Sequence, residues 1–369
     1  MPRRKTRSVK LGSLGIGSDF PVTLQTMTKV PLADVRGTLE QIQRCAALGC
    51  DIVRVAVDDA AGEKVLPEVA AHSPVPLVAD IQFHWESALA AIKAGLSGVR
   101  LNPGLLRDEF KLQAIAEAAK EHNTCIRVGA NGGSVNRQAL EENLKKFPSF
   151  EEAAAELLCR SVREQCEALE HYGVTNIKVA LKSSSIPVTL ASCRRFAAET
   201  DYPLHLGLTE AGPPKLGTIK SSVVISTLLN EGIGDTVRVS LTAPPEEEVL
   251  AGKKILEACE LRPAAPELVS CPGCGRTEFD LFGLVAKVEQ LLSETALAGH
   301  RISLRKVAVM GCPVNGPGEA SDADLGIAGS RSGRVILFRS GKVMGTFEAE
   351  AGYQRFKEEL LKASSLREG

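Results

Sequence analysis

No stretch of about 18 consecutive apolar residues occurs in this sequence, so none of it reads as a transmembrane helix. The start, MPRRKTRSVKLGSLGIGSDF, is basic but lacks an apolar core, so it does not read as a signal peptide. A cytoplasmic location is expected. Net charge is only −1 over 369 residues, which leaves no overall basic field for nucleic acid or membrane. Any anion site must be a local cluster. Hydrophobic residues make up 44% and charged residues 24%, the balance of an ordinary globular protein. The length is too great for one ordinary core and suits a large domain plus a small one.

Cysteine is plentiful, but its pattern is incomplete. The segment SCPGCGRTEFDL places Cys271 and Cys274 three residues apart, a spacing that suits one metal centre or a redox disulfide. One more cysteine follows in the same region, Cys312, in the Gly/Pro/Asn-rich loop MGCPVNGPGEASDADLGIAG. Such a loop lets backbone approach a bulky group closely. A fourth cysteine is missing there, and the nearest further candidate ligand is Glu319. The second paired knuckle of a structural zinc site is therefore absent. No thioredoxin-like βαβ pattern surrounds the CPGC, and the CxxxCxxC of S-adenosylmethionine radical enzymes is not present. Three thiolates with a hard or open fourth position suit a [4Fe–4S] cluster; zinc and a dithiol remain the alternatives. The other cysteines, Cys45, Cys50, Cys125, Cys159, Cys166, Cys193 and Cys259, occur singly and read as buried thiols.

Ahead of these cysteines, short apolar strands alternate with helix-length segments. Eight strand candidates run over residues 22–28, 51–57, 76–83, 98–104, 125–131, 176–182, 203–212 and 236–242. Such alternation predicts parallel pairing, and eight units predict a closed (β/α)8 TIM barrel. At LRPAAPELVS the composition shifts, which sets the domain border between residues 263 and 264. The rest, 264–369, reads as a small α+β domain: a helix over LFGLVAKVEQLLSETAL, three strands and a final helix. A weak repeat links RCAALGCDIVRV, AAIKAGLSGVRL and ALEHYGVTNIKV, each with a basic residue five positions after a helix-ending Gly.

Arg54, Arg100, Arg127, Lys178 and Arg238 interrupt strands that are otherwise apolar. A buried charge is costly unless it is paired or bound to something. Asp80, Asn102, Asn131, Lys182, Glu210 and Ser240 fall at or near strand C-terminal ends, the face where TIM-barrel active sites sit. Convergence there predicts a pocket for a strongly anionic small molecule. Glu210, among such cations, is a candidate acid or base. The polar insertion from Gly132 to Phe150 is a candidate lid.

The motifs LQTMT, DIVRV, PLVADI, LNPG, HLGLTEAG, EGIGDTVRVSL, CPGCGRTEFD and GCPVNGPGEA span the chain. Together they resemble the bacterial 4-hydroxy-3-methylbut-2-en-1-yl diphosphate synthases of the methylerythritol phosphate route to isoprenoids. The resemblance implies a TIM barrel followed by an iron–sulfur domain, with a [4Fe–4S] cluster held by Cys271, Cys274, Cys312 and Glu319. It implies two-electron reductive opening and dehydroxylation of 2-C-methyl-D-erythritol 2,4-cyclodiphosphate, with flavodoxin or ferredoxin as donor. It also implies a homodimer in which the cluster domain of one subunit caps the barrel of the other. Under that reading Arg54, Arg100, Arg127, Asn131, Lys182 and Ser240 bind the substrate. Glu319 is expected to yield its place when substrate oxygen binds, and Glu210 to supply a proton. An aconitase-like hydro-lyase acting on a phosphorylated substrate is the alternative. The family pattern DIHFD is here DIQFH, so the loop Gln82–Phe83–His84 is given no role.

Overall fold

The computed structural model describes residues 2–57, 59–101, 108–131, 137–262, 266–298 and 300–366. Asn102 and residues 132–136 of the expected lid lie outside them. The chain divides into two compact units, Met1–Leu261 and Arg262–Gly369, two residues from the border expected between 263 and 264.

The first unit opens with a hairpin, β1 (Val9–Leu11) and β2 (Leu14–Ile16). Eight parallel strands follow: β3 (Thr23–Met27), β4 (Ile52–Ala56), β5 (Leu77–Ile81), β6 (Gly98–Leu101), β7 (Cys125–Asn131), β8 (Ile177–Lys182), β9 (His205–Leu206) and β10 (Thr236–Val237). Their order is β8-β7-β6-β5-β4-β3-β10-β9. A parallel bridge between Val179 and Leu204 joins β8 to β9 and closes the barrel. The strands alternate between them α1 (Val35–Ala47), α2 (Ala60–His72), α3 (Trp85–Lys93), α4 (Glu109–Glu121), α5 (Arg137–Leu144), α6 (Phe150–His171), α7 (Ile186–Glu199) and α8 (Pro214–Asn230), and α9 (Pro245–Ala258) completes the ring. Several helices start where the sequence offers a cap. Asp34, Asp59, Asp108, Ser149 and Ser185 each accept the backbone N–H three residues on.

Period-two alternation sorts the strand side chains. Val53, Val55, Val99, Ile126, Val128 and Val179 point outward to the helices and form the main core. The inward positions between them carry Arg54, Arg100, Arg127 and Lys178. Val9, Leu11 and Ile16 of the hairpin pack on Ile52, Val78 and Cys125 near the strand N-termini, an apolar floor that composition alone does not announce. The three glycines of the sequence repeat, Gly49, Gly95 and Gly173, have φ of 99°, 86° and 78°. Each ends a helix in the left-handed region, and the strand that follows presents its basic residue five positions later.

The second unit is a five-stranded sheet of order β11-β13-β14-β15-β16. Its strands are β11 (Glu267–Ser270), β13 (Lys306–Met310), β14 (Leu325–Gly329), β15 (Arg334–Arg339) and β16 (Lys342–Glu348), with β12 (His300–Ile302) and β17 (Ser364–Leu366) paired apart from it. Helices α10 (Leu281–Leu297) and α11 (Ala349–Lys362) bury Val288, Leu291, Phe356 and Leu360 against Val307, Val309, Ile327 and Leu337. β11, β13 and β14 run parallel, so the loops after their C-terminal ends share one edge.

Candidate active site

A cavity of about 440 Å3 opens at the C-terminal end of the barrel strands. Arg54, Asp80, Gln82, Arg100, Arg127, Asn131, Lys182, Thr209, Arg238 and Ser240 contribute to its wall. All six residues expected to bind substrate are therefore brought together. Glu210 is not among the lining residues; it follows Thr209 at the rim, exposed, with φ of 54°. Gln82 belongs to the wall although it carried no assigned role. It shares the inward alternation of Val78 and Asp80, and that period was the available signal.

Two carboxylates hold part of this positive charge in place. Asp80 receives Arg100 at 3.1 Å and Arg54 at 3.7 Å. Burial alone would raise the Asp80 carboxyl, but Arg54, Arg100 and Arg127 outweigh it and hold it below the usual carboxylate range. Glu248, on α9 and 1% exposed, went unnoticed in the sequence because it sits in the run PPEEEV. It accepts from Thr26 Oγ1 at 2.8 Å and Leu241 N at 3.0 Å, and it pairs with Lys29 at 3.0 Å and Arg238 at 3.5 Å. The carboxylate thus ties the first and last strands of the barrel to a cavity cation.

Among the described residues the remaining cations have no such partner. Arg127 is buried, and its Nε and Nη1 lack hydrogen-bond acceptors among the described residues. No carboxylate among the described residues pairs with Lys182, and burial together with Arg127 and Arg238 lowers its ammonium well below the usual value. Register partners across β6, β7 and β8 are Arg100, Arg127 and Lys178, three like charges side by side. Like charges directly opposite one another destabilise a sheet. An arrangement that stores this repulsion in a cavity is suited to an anion with several ionised oxygens.

The second unit gathers the sulfur ligands. Cys271 follows β11, and Gly311 and Cys312 follow the parallel neighbour β13. The Gly311 N–H donates to Cys271 Sγ at 3.0 Å. A Cβ at Gly311 would stand 2.6 Å from Thr277 Oγ1 and 3.2 Å from Cys271 Sγ, so the close approach needs glycine. Cys312 Sγ lies 3.0 Å from Asn315 Oδ1, and Asn315 Nδ2 donates to Glu319 across the wide turn Val314–Glu319. Arg276 bonds the Cys274 thiol and lowers its pKa, and Arg276 in turn feels the charges of Cys312 and Glu319. All four expected ligands therefore face one small region of this unit. Among the described residues no three His, Cys, Asp or Glu side chains meet closely enough to hold a single metal ion.

Six of the seven single cysteines are buried as expected, and Cys259 departs from that expectation. Cys50, Cys159, Cys166 and Cys193 are buried, and burial pushes their thiols up to about 12. Cys259 is half-buried.

The Asp80 shift sets a stability test. A carboxyl held below its unfolded value of about 3.9 contributes fully above that pH and loses its contribution as pH falls through the lower folded value. Asp80→Asn is expected to lose about 3 kcal/mol at pH 7 in chemical denaturation. The gap to wild type should narrow below about pH 4; a gap independent of pH would contradict the assignment.

The chain matches the GcpE TIM-barrel domain over residues 6–253 and the GcpE protein C-terminal domain over 267–362. It is 43% identical over 362 residues to a Corynebacterium glutamicum protein named 4-hydroxy-3-methylbut-2-en-1-yl diphosphate synthase (flavodoxin), covering 98% of this chain and 92% of that protein. A Lawsonia intracellularis protein of the same name is 44% identical, covering 93% and 91%. In fold alone, the sialic acid synthetase of Leptospira borgpetersenii is similar, with a TM-score of 0.50 at 11% identity over 79% of this chain and 97% of that one. With both domain models matched in order and relatives aligned along nearly the whole length, this chain belongs to the GcpE family.

Proposed function

We propose that the protein converts 2-C-methyl-D-erythritol 2,4-cyclodiphosphate to 4-hydroxy-3-methylbut-2-enyl diphosphate, the product that the names of its relatives give for them. The observation that carries this reading is the barrel cavity, where among the described residues no carboxylate forms a salt bridge with Arg127 or Lys182, beside the Asp80-bound Arg54 and Arg100. In the reaction a ring C–O bond to phosphate breaks and a hydroxyl leaves as water, while two electrons and one proton enter. The cyclic substrate has one ionised oxygen per phosphate, and opening the ring frees another. A site with more cations than carboxylates favours the more highly charged product state. An aconitase-like hydro-lyase would need no net reduction, and family membership does not favour it.

The sulfur-rich region of the second unit fits a [4Fe–4S] cluster. Three thiols and one carboxylate are carried on neighbouring loops of this unit, a donor set that suits a cluster taking three thiolates and one harder ligand. Cys271, Cys274, Cys312 and Glu319 would hold it. When bound, the cluster supplies electrons singly and a Lewis-acidic iron. The Gly311 amide at Cys271 and the Arg276 guanidinium at Cys274 would stabilise thiolate charge. Asn315, bonded to Glu319, orients that carboxylate.

Arg54, Arg100, Arg127 and Lys182 hold the diphosphate, with Asn131 and Ser240 as hydrogen-bonding wall residues. Glu210 supplies the proton. Its left-handed backbone, uncommon outside glycine, sits one residue beyond Thr209 of the wall. Flavodoxin is the electron donor, as in the relatives' names, and ferredoxin is the other candidate carrier. The enzyme works in the cytoplasm as a homodimer, the cluster domain of one subunit capping the barrel of its partner. An apolar stripe on α8 supports self-association: Leu216, Ile219 and Val223 are 50%, 63% and 46% exposed.

Anaerobically purified protein is expected to contain about four irons and matching sulfide, with a reduced EPR signal that changes on adding the cyclodiphosphate. One zinc without sulfide would overturn the reading. Glu210→Gln should keep that signal and its response while losing about a hundredfold or more in turnover; normal turnover would remove Glu210 from the mechanism. Ile219→Asp should sediment as a monomer, and an unaltered dimer would place the interface elsewhere.

A further inference from the structure

One buried cation of the barrel has no part in the scheme above. Lys178 lies in β8, two residues below Ala180 and four below Lys182, both of which line the cavity. Alternation puts all three on the inward face. In the register row Asp80, Arg100, Arg127, Lys178, the carboxylate stands at one end and Lys178 at the other. Lys178 is 1% exposed, and its Nζ has no hydrogen-bond partner among the described residues.

Among the described residues no carboxylate pairs with it, and of the groups that face it only the Cys125 sulfur favours its charged form. Arg127 of β7 and Arg54 of β4 are cations. Cys125 of β7 is kept as a thiol by burial. His205 of β9, whose ring nitrogens also lack partners, is kept neutral by burial, with Lys182, Arg127 and Lys178 nearby. Burial lowers the Lys178 ammonium to about 8, with Cys125 acting against the shift and the two arginines adding to it. A methionine would fill much the same space without a buried charge. A merely structural lysine at this position would be expected to find an acceptor.

We infer that Lys178 is a positioning residue, a buried charge beneath the cavity whose counterion is the bound anion and which acts through its field rather than by contact. The inference rests on the reading of the cavity as a diphosphate site and deepens it. Its cost to the free protein and its benefit to the complex have opposite signs, which separates it from a packing role.

The test is calorimetric titration of full-length wild type, Lys178→Met and Lys178→Arg with the cyclodiphosphate and, separately, inorganic pyrophosphate, at pH 6.5 and 9.5. Thermal melts without ligand accompany it. Lys178→Met should bind the cyclodiphosphate about tenfold more weakly at pH 6.5. That ratio should fall toward one at pH 9.5, where the wild-type amine has lost its proton. The unliganded Lys178→Met protein should melt at higher temperature than wild type. Lys178→Arg should bind like wild type at pH 6.5 and more tightly than wild type at pH 9.5; it decides the matter if Lys178→Met does not fold. Equal affinities at pH 6.5, or a ratio unchanged by pH, would overturn the inference. If wild type binds pyrophosphate with this pattern but not the cyclodiphosphate, Lys178 keeps its role and the substrate assignment falls. If neither ligand binds wild type, both fall.

Discussion

Uncompensated positive charge inside a closed barrel is the constraint around which the first unit is built. Arg54, Arg100, Arg127, Lys178, Lys182 and Arg238 point inward, against Asp80 and Glu248. Such a row would be expelled from an ordinary hydrophobic interior. It persists here because the outward face of the strands is apolar and packs on the helices, and because the β1–β2 hairpin supplies an apolar floor. The two carboxylates are placed to fix geometry rather than to neutralise. Asp80 splays two arginines from adjacent strands, while Glu248 pins Arg238 and Lys29 at the seam between β3 and β10. What is left over is a field that only an anion can balance.

The second unit solves a different problem with similar economy of parts. Parallel strands deliver two loops to one edge, and glycine at 311 lets the backbone of one close on the sulfur of the other. The wide turn through Pro317 then brings Glu319 back toward Cys312 by way of Asn315. Hard and soft donors are thereby presented together, one thiol buried and one exposed.

Much of this was legible in the sequence because period and spacing carry it. The eight strands, the helices between them and the inward cations all follow from alternation and from the Gly-x4-basic repeat. The glycines of that repeat end helices at positive φ, and its basic residues all fall on the inward face of their strands. Other features left no local trace. Residues 203–212 read as one long strand, but only His205–Leu206 pair, since the chain leaves the sheet to build the Thr209–Glu210 rim. Glu248 lies in an acidic helix start where a solvated face is the ordinary reading, and only tertiary contact shows it buried. The hairpin floor was hidden within a basic N-terminal segment. β14, LGIAG, is too short and too rich in glycine to announce a central strand.

The most direct measurement is a crystal structure of the anaerobic enzyme with the cyclodiphosphate bound. Phosphate oxygens within hydrogen-bonding distance of Arg127 and Lys182, with Asp80 still holding Arg54 and Arg100, would be the expected result. A ligand seated elsewhere, with Arg127 turned to a protein carboxylate, would show that the buried charge serves the fold and not the substrate.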